Sequence, residues 1–272
     1  MNIKSCIIRT IKTLLGKVVF SIGLNRIILS RCAVVIALHR VEASEEEDAM
    51  TMPSEKFRKW CTFFVEHFRV VSPVVIVEKL ERGHRLSGEL ALTFDDGYLD
   101  FHSQAVPIME SMGVTAAVFA VSEFVGSDVV PWWDAVLNKR YLFMDWAHLL
   151  DVQERGFIVG SHGKTHAGIN DLSPEDARDE ITISKAALEV GLGCPVSLYA
   201  YPYGDHARMT EEARVFVRNA GYRACFGYGG LVWSGTSPFY IGRICINDWF
   251  DSPEYFGGHL VLLALRDILR SF

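Results

Sequence analysis

The sequence predicts an α/β fold, a single barrel of parallel strands with helices outside. Three observations carry this. Short apolar runs alternate with segments of helical periodicity along most of the chain, and strands that alternate with helices pair in parallel. The residues with chemical potential, His39, Asp95 with Asp96, His162 and Tyr203, each follow one of those apolar runs; in a β/α barrel the strand ends and the loops after them build one site. A chain of 272 residues, half of them hydrophobic, is long enough to bury one such core.

Taken in order, Cys32 to Leu38 is the first buried run and ends at His39-Arg40; an acidic loop follows, Glu42 through Asp48. Pro53-Ser54 opens a helix through Phe57, Trp60, Phe64 and Phe68, which recur at helical spacing. Val74 to Arg82 is a short helix and Gly83 to Gly88 a turn. Leu90 to Phe94 is the second strand; Phe101 to Met112 is a helix that Gly113 ends. Thr115 to Val121 is the third strand. Pro131-Trp132-Trp133-Asp134 has the form of a helix start, and Trp146 to Glu154 forms a further helix. Phe157 to Gly160 is a strand that delivers Ser161-His162. Ser173-Pro174-Glu175-Asp176 is a strong helix start, with a Ser cap, Pro at the first helical position and an acid three residues after the cap. Val196 to Tyr201, Arg223 to Phe226 and Phe239 to Ile246 are the later strands; Glu211 to Asn219 and Pro253 to Leu269 are the later helices. The count is about seven strands.

Charge and composition remove several classes. A net charge of −6 offers no basic footprint for nucleic acid. The six cysteines form no CxxC, and most lie in apolar runs, so buried free thiols and a reducing compartment fit best. Residues 1–32 are a basic amphipathic helical segment, with Lys4, Arg9, Lys12, Lys17, Arg26 and Arg31 and no acid. Its apolar runs are too short to span a bilayer, and recurring charges with no Ala-x-Ala argue against a secretory signal. A cytoplasmic location is expected. The segment is either a membrane-surface helix, giving peripheral contact at the inner membrane, or a helix packed on the barrel with its basic face in solvent. No repeat or linker divides residues 33–272, read as one barrel domain.

The chemistry lies in two segments. Asp95 and Asp96 stand side by side at a strand end, where like charges need a cation or a proton to offset their repulsion. His162 and His166 are four apart, the spacing that puts two imidazoles on one side of a helical turn. Two imidazoles and a carboxylate make a three-ligand divalent site with positions left open. One aspartate can be a ligand and the other a base.

Thr93-Phe94-Asp95-Asp96-Gly97-Tyr98, His162-Gly163-Lys164-Thr165-His166 and Tyr201-Pro202-Tyr203-Gly204 resemble, in order and rough spacing, the first three motifs of the polysaccharide deacetylases, the NodB-homology domain of carbohydrate esterase family 4. The resemblance spans roughly residues 33 to 250. It implies a distorted (β/α)7 barrel. It implies Asp95 as general base, and Asp96, His162 and His166 as ligands of one divalent ion, usually zinc. It implies the backbone N–H of Tyr203, after Pro202, as an oxyanion donor, and an N-acetylated glycan as substrate.

Two departures from the family pattern matter. Many members carry an Arg two residues before the third motif's proline, paired with the base; here Ala200 stands there, and Arg243 is the candidate replacement. The late Leu-x-His acid motif is missing. Leu38-His39-Arg40-Val41 resembles the Tyr-His-x-Val segment of the subgroup acting on extracellular poly-N-acetylglucosamine, in which that early His is the acid, so His39 is the candidate acid. Trp133, with Trp132 and Asp134, is a candidate for stacking on a sugar; Tyr98 and His206 are candidates for the site's border. The leading expectation is removal of an N-acetyl group from a sugar of a bacterial surface polysaccharide or its precursor. The rivals are deacylation or deformylation of a lipid-linked sugar at the cytoplasmic membrane face, and a barrel that binds glycan without cleaving it.

Overall fold

Seven parallel strands close into a ring: β1 (Cys32–Leu38), β2 (Glu89–Phe94), β3 (Ala116–Ala120), β4 (Ile158–Ser161), β5 (Leu198–Ala200), β6 (Ala224–Tyr228) and β7 (Ile241–Cys245). The structure is a computed structural model and describes residues 3–44, 48–205, 209–247 and 249–270. Each strand pairs with the next, and β1 pairs with both β2 (Leu38↔Phe94) and β7 (Ala37↔Cys245), which seals the ring. This is the (β/α)7 barrel expected from the alternation of strands and helices. The acidic loop is described only in part, since residues 45–47 lie outside the described residues, as do residues 1–2 of the basic segment and His206.

Side chains of alternate phase sort into two cores, as a pleated strand requires. Ala33, Val35, Ala91, Ala117, Phe119, Leu198, Ala200, Ala224, Phe226 and Ile241 form the lumen, joined by Ile76, Val77 and Leu80 of the Pro73–Glu81 helix. The opposite phase packs on the outer helices in a larger cluster around Trp60, Phe64 and Phe256. With its lower part filled, the barrel leaves its polar groups at the mouth, where the strands end.

Several details differ from the sequence reading. The helix expected over Phe101–Met112 opens with a wider turn, Phe101–Ala105, in which the N–H of Val106 reaches the carbonyl of Phe101, before an α-turn over Val106–Glu110. Pro107 cannot donate to the fourth carbonyl before it, so the ladder is already broken there. Three short pairings were also not foreseen. Val232–Trp233 adds antiparallel to β1, Arg69–Val70 adds to β2, and Arg40–Glu42 pairs with Thr51–Pro53. Pieces of two or three residues are too short to show a period.

The basic segment holds a helix over Ile3–Ser21 and a short turn of helix over Asn25–Ile28. The first packs on the Pro253–Arg270 helix by direct backbone approach: a Cβ at Gly16 would overlap Glu254, and one at Gly258 would overlap Lys12. Among the described residues no helix is long and apolar enough to cross a membrane. No disulfide forms among the described residues, and Cys32, Cys61 and Cys225 are buried.

Candidate metal centre and active site

The mouth of the barrel is built by three turns that need left-handed backbone. After β2 the chain keeps its ladder one residue further, Asp95 N–H donating to Leu38 O at 2.9 Å. It then turns through Asp96 (φ 70°) and Gly97 (φ 83°). A side chain at Gly97 would press on Ala120. After β4, His162 N–H donates to Ala120 O at 2.8 Å, and the loop bends back through Gly163 (φ 86°) and His166 (φ 66°). After β5, Tyr203 takes φ 53°. Of the four non-glycine residues with such φ among the described residues, three are therefore in the motifs (Asn138 is the other). Each costs on the order of 1 kcal/mol and persists only where packing holds it.

The turns bring three side chains together. The ligand atoms of Asp96, His162 and His166 lie within 4.8 Å of one another, and all three residues are buried. Asp96 Oδ1 stands 3.2 Å from His166 Nε2 and 3.5 Å from His162 Nε2. His162 Nδ1 is 2.8 Å from the carbonyl of Ala200, so Nδ1 carries the proton and Nε2 faces the carboxylates with its lone pair. Both Asp96 oxygens and His166 Nδ1 are buried without a hydrogen-bond partner. Buried polar atoms left unsatisfied are costly, and a cation shared by the group would satisfy the carboxylate. The donor set, two neutral imidazoles and one carboxylate, fits a divalent first-row ion such as zinc.

Electrostatics keep Asp96 and His162 in ligating form. Burial alone would raise both aspartates, but the neighbours win. Asp96 is held well below the usual carboxylate range by His166, with His39 and His162. Burial pushes His162 down to about 4, against the pull of Asp95 and Asp96, and so keeps it neutral.

Asp95 is gripped from β7, two strands away round the ring. Arg243 of β7 sends Nη1 to Asp95 Oδ1 at 2.6 Å and Nη2 to Oδ2 at 2.8 Å, and Nη1 also reaches Thr93 Oγ1 at 3.2 Å. Both partners are buried, and Arg243 with His162 holds Asp95 below its ordinary range despite burial. Arg243 is therefore placed to orient the carboxylate, and its position beneath Asp95 takes it out of direct substrate contact. His39 lies half-buried at the end of β1, with Nε2 3.3 Å from the hydroxyl of Tyr228 on β6. Tyr228 carries no motif and was not singled out from the sequence.

The rim is aromatic. The His166 ring lies 4.6 Å from Trp133 and 4.7 Å from Tyr203. Trp132 is 65% exposed and donates Nε1–H to the Tyr203 hydroxyl at 3.1 Å. Pro202 is buried. Tyr98, the candidate for the site's border, is fully buried and stacked on Phe143, with its hydroxyl committed inside. That hydroxyl donates to Asp134 Oδ2 at 2.8 Å and accepts from Trp133 Nε1 at 2.8 Å. Asp134 is likewise buried and accepts from Arg40 Nη1 at 2.6 Å, so it supports the rim and does not line it.

Glu180 is the supporting residue that sequence reasoning missed. It sits on the Pro174–Leu192 helix, buried, and its Oε1 accepts from Thr165 N at 2.6 Å and Ala167 N at 3.3 Å; Oε2 accepts from Thr165 Oγ1 at 3.1 Å. It thus fixes the backbone on both sides of His166. The signal was present, since Glu180 falls on the stripe Ala177, Ile181, Ser184, Leu188 that the helix buries. A charge on a buried stripe needs a partner.

The family model for polysaccharide deacetylases matches residues 83–225, more than half of the chain. The chain belongs to the polysaccharide deacetylase family. A Bacillus subtilis (strain 168) protein named for the same family, YxkH, is 25% identical over 132 residues, 48% of this chain and 42% of that protein. The matched stretch thus spans less than half of that relative. Among solved structures, IcaB from Ammonifex degensii is similar with a TM-score of 0.71 at 20% identity, over 86% of this chain and 97% of that one. The Streptococcus pyogenes deacetylase PplD, solved with acetate, gives 0.69 at 17% identity, over 83% and 96%. A de-N-acetylase from Aggregatibacter actinomycetemcomitans gives 0.69 at 18%, over 83% and 99%. These likenesses show the fold, the (β/α)7 barrel of deacetylases.

Proposed function

We propose that this chain is a metal-dependent hydrolase that removes an N-acetyl group from a sugar of a bacterial surface polysaccharide or its precursor. The observation that carries the reading is the pairing of a buried, Arg-held carboxylate, Asp95, with the adjacent Asp96–His162–His166 set. Family membership supports it. A divalent ion, zinc first, held by Asp96, His162 and His166 would polarise the acyl carbonyl and a water. Asp95, ionised through Arg243, takes the proton of the attacking water. The backbone N–H of Tyr203 donates to the oxyanion as the carbonyl becomes tetrahedral. His39, oriented by Tyr228, returns a proton to the departing amine, without which a sugar amine is a poor leaving group. Trp132 and Trp133 offer ring faces to the pyranose.

The test is metal content by elemental analysis and acetate release from N-acetylated glycans, for the wild type, His162→Ala and Asp95→Asn. About one equivalent of metal is expected in the wild type and Asp95→Asn and none in His162→Ala, with turnover in the wild type alone. Absence of metal in the wild type after incubation with zinc, or turnover retained in Asp95→Asn, overturns the mechanism.

A second reading has one observation in its favour, the exposed apolar row on the Ile3–Ser21 helix. It places the substrate on a lipid carrier at the cytoplasmic face of the membrane, the acyl group being acetyl or formyl. Release of acetate or formate from a detergent-dispersed lipid-linked sugar, with none from soluble glycans, selects it.

A further inference from the structure

The Ile3–Ser21 helix has two apolar faces and only one of them is covered. Gly16, Val19 and Phe20 are buried, Gly16 against the Pro253–Arg270 helix and Phe20 against Phe63. A helix so packed on a globular domain shows polar residues on the other side. Here Ile7, Ile11, Leu14 and Val18 recur at i, i+4, i+7 and i+11 and are 53%, 57%, 58% and 55% exposed. The row continues past the helix end in Ile22 and Ile27, at 68% and 71%. Scattered exposed aliphatics are ordinary; four at this spacing over consecutive turns of one helix form a ridge, and two more follow it. On the helix packed alongside, Leu262, Leu265 and Leu269 are exposed at helical spacing as well.

The charge around the ridge selects its occupant. The whole chain is acidic, at −6, yet residues 1–32 hold six Lys and Arg and no Asp or Glu. Lys17 and Arg26 are exposed beside Val18 and Ile27. Apolar ridge and basic flanks together match the interface of an anionic bilayer, where aliphatic side chains enter the acyl boundary and Lys and Arg stay with the headgroups. A second copy of this chain would cover the ridge but bring the same positive flanks against each other.

We propose that the Ile3–Ser21 helix, with Ile22 and Ile27, docks the protein in the plane of an anionic lipid surface while the barrel stays outside the hydrocarbon. The docking face does not depend on the catalytic reading, and its test reads binding alone.

The test is co-sedimentation of the full chain with phosphatidylcholine vesicles, with and without phosphatidylglycerol. The variants are Ile11→Glu/Val18→Glu, which breaks the ridge at exposed positions, and Lys17→Gln/Arg26→Gln, which removes exposed charge. Circular dichroism and melting of each variant check that the fold is kept. The wild type is expected to pellet with the anionic vesicles, with a partition coefficient roughly tenfold or more above that for phosphatidylcholine alone. Ile11→Glu/Val18→Glu should lower it by about tenfold or more, and the charge variant should lower it only on anionic vesicles. Wild type that stays in the supernatant, or a folded ridge variant that pellets as well as wild type, overturns the proposal. So does sedimentation velocity showing a dimer that the ridge variant disperses while vesicle binding is absent.

Discussion

Arg243 holds Asp95 through two parallel hydrogen bonds, 2.6 and 2.8 Å, across 148 residues of chain. The family position that many members fill with Arg, here Ala200, is on β5, whereas Arg243 is on β7. The guanidinium therefore approaches the base from another strand while presenting the same planar fork. Both groups are buried, so the pair is worth less as stability than as alignment. Arg243→Lys should lower kcat by about 10- to 100-fold with KM little changed, because a point charge cannot fix the carboxylate plane. Arg243→Met should cost about 3–5 kcal/mol in denaturant unfolding, since Asp95 is left charged and buried. Asp95→Asn combined with Arg243→Met should recover part of that loss. Equal stability of the single and double variants would show that the pair is not coupled.

Glu180 is expected to set metal affinity without touching the metal. Its carboxylate fixes the N–H groups of Thr165 and Ala167, which flank the strained His166. Glu180→Ala frees that turn, and loss of such outer partners typically lowers affinity 10- to 100-fold. Glu180→Gln keeps an amide oxygen as acceptor and should lose less. Chelator competition against a zinc indicator measures this, and affinities within twofold of the wild type for both variants would remove Glu180 from the site's support.

Asp134 joins the rim to the barrel mouth. It accepts from Arg40, which is itself buried and also bonds Thr51 and Asp48, and from Tyr98, which holds Trp133. Asp134→Ala leaves the Arg40 charge with its weaker partners only. A loss of about 3 kcal/mol in urea unfolding is expected. Because Trp133 loses its anchor, KM for a glycan should rise while metal content stays at the wild-type level. A variant that melts like the wild type would show that Asp48 alone satisfies Arg40.

The barrel was legible because its strands are short, mostly apolar and bounded by glycine or by the motifs themselves, so β1 to β4 could be placed within a residue or two. The Asp96–His162–His166 set was legible because all three stand where strands end, which makes sequence position a guide to spatial position. Arg243 was a candidate partner for Asp95 only through the resemblance. Its meeting with Asp95 depends on ring closure, β7 to β1 to β2, which local periodicity does not encode. Glu180 and Tyr228 were hidden for a related reason. Each acts across elements, so its partner is not read from its own helix or strand. The burial of Tyr98 was not readable because a tyrosine after such a turn can point either way, and only the partner Asp134, 36 residues on, decides which.

Asp100 makes stability depend on pH apart from the metal site. Burial, with Glu42 nearby, pushes its carboxyl up to about 8, although it accepts from the Val41 N–H at 2.8 Å. A carboxyl whose folded value exceeds its unfolded one is favoured protonated by the native state. Its contribution is then complete below the unfolded value, near 4, and is lost as pH rises through about 8. Asp100→Asn keeps the acceptor and removes the titration. The variant should gain on the order of 1 kcal/mol or more over wild type at pH 8, and the gain should vanish towards pH 4. Urea unfolding of both proteins across that range measures the difference. A gap that stays constant with pH, or widens as pH falls, would mean that Asp100 is ionised in the folded protein and that Arg40 stabilises the charge.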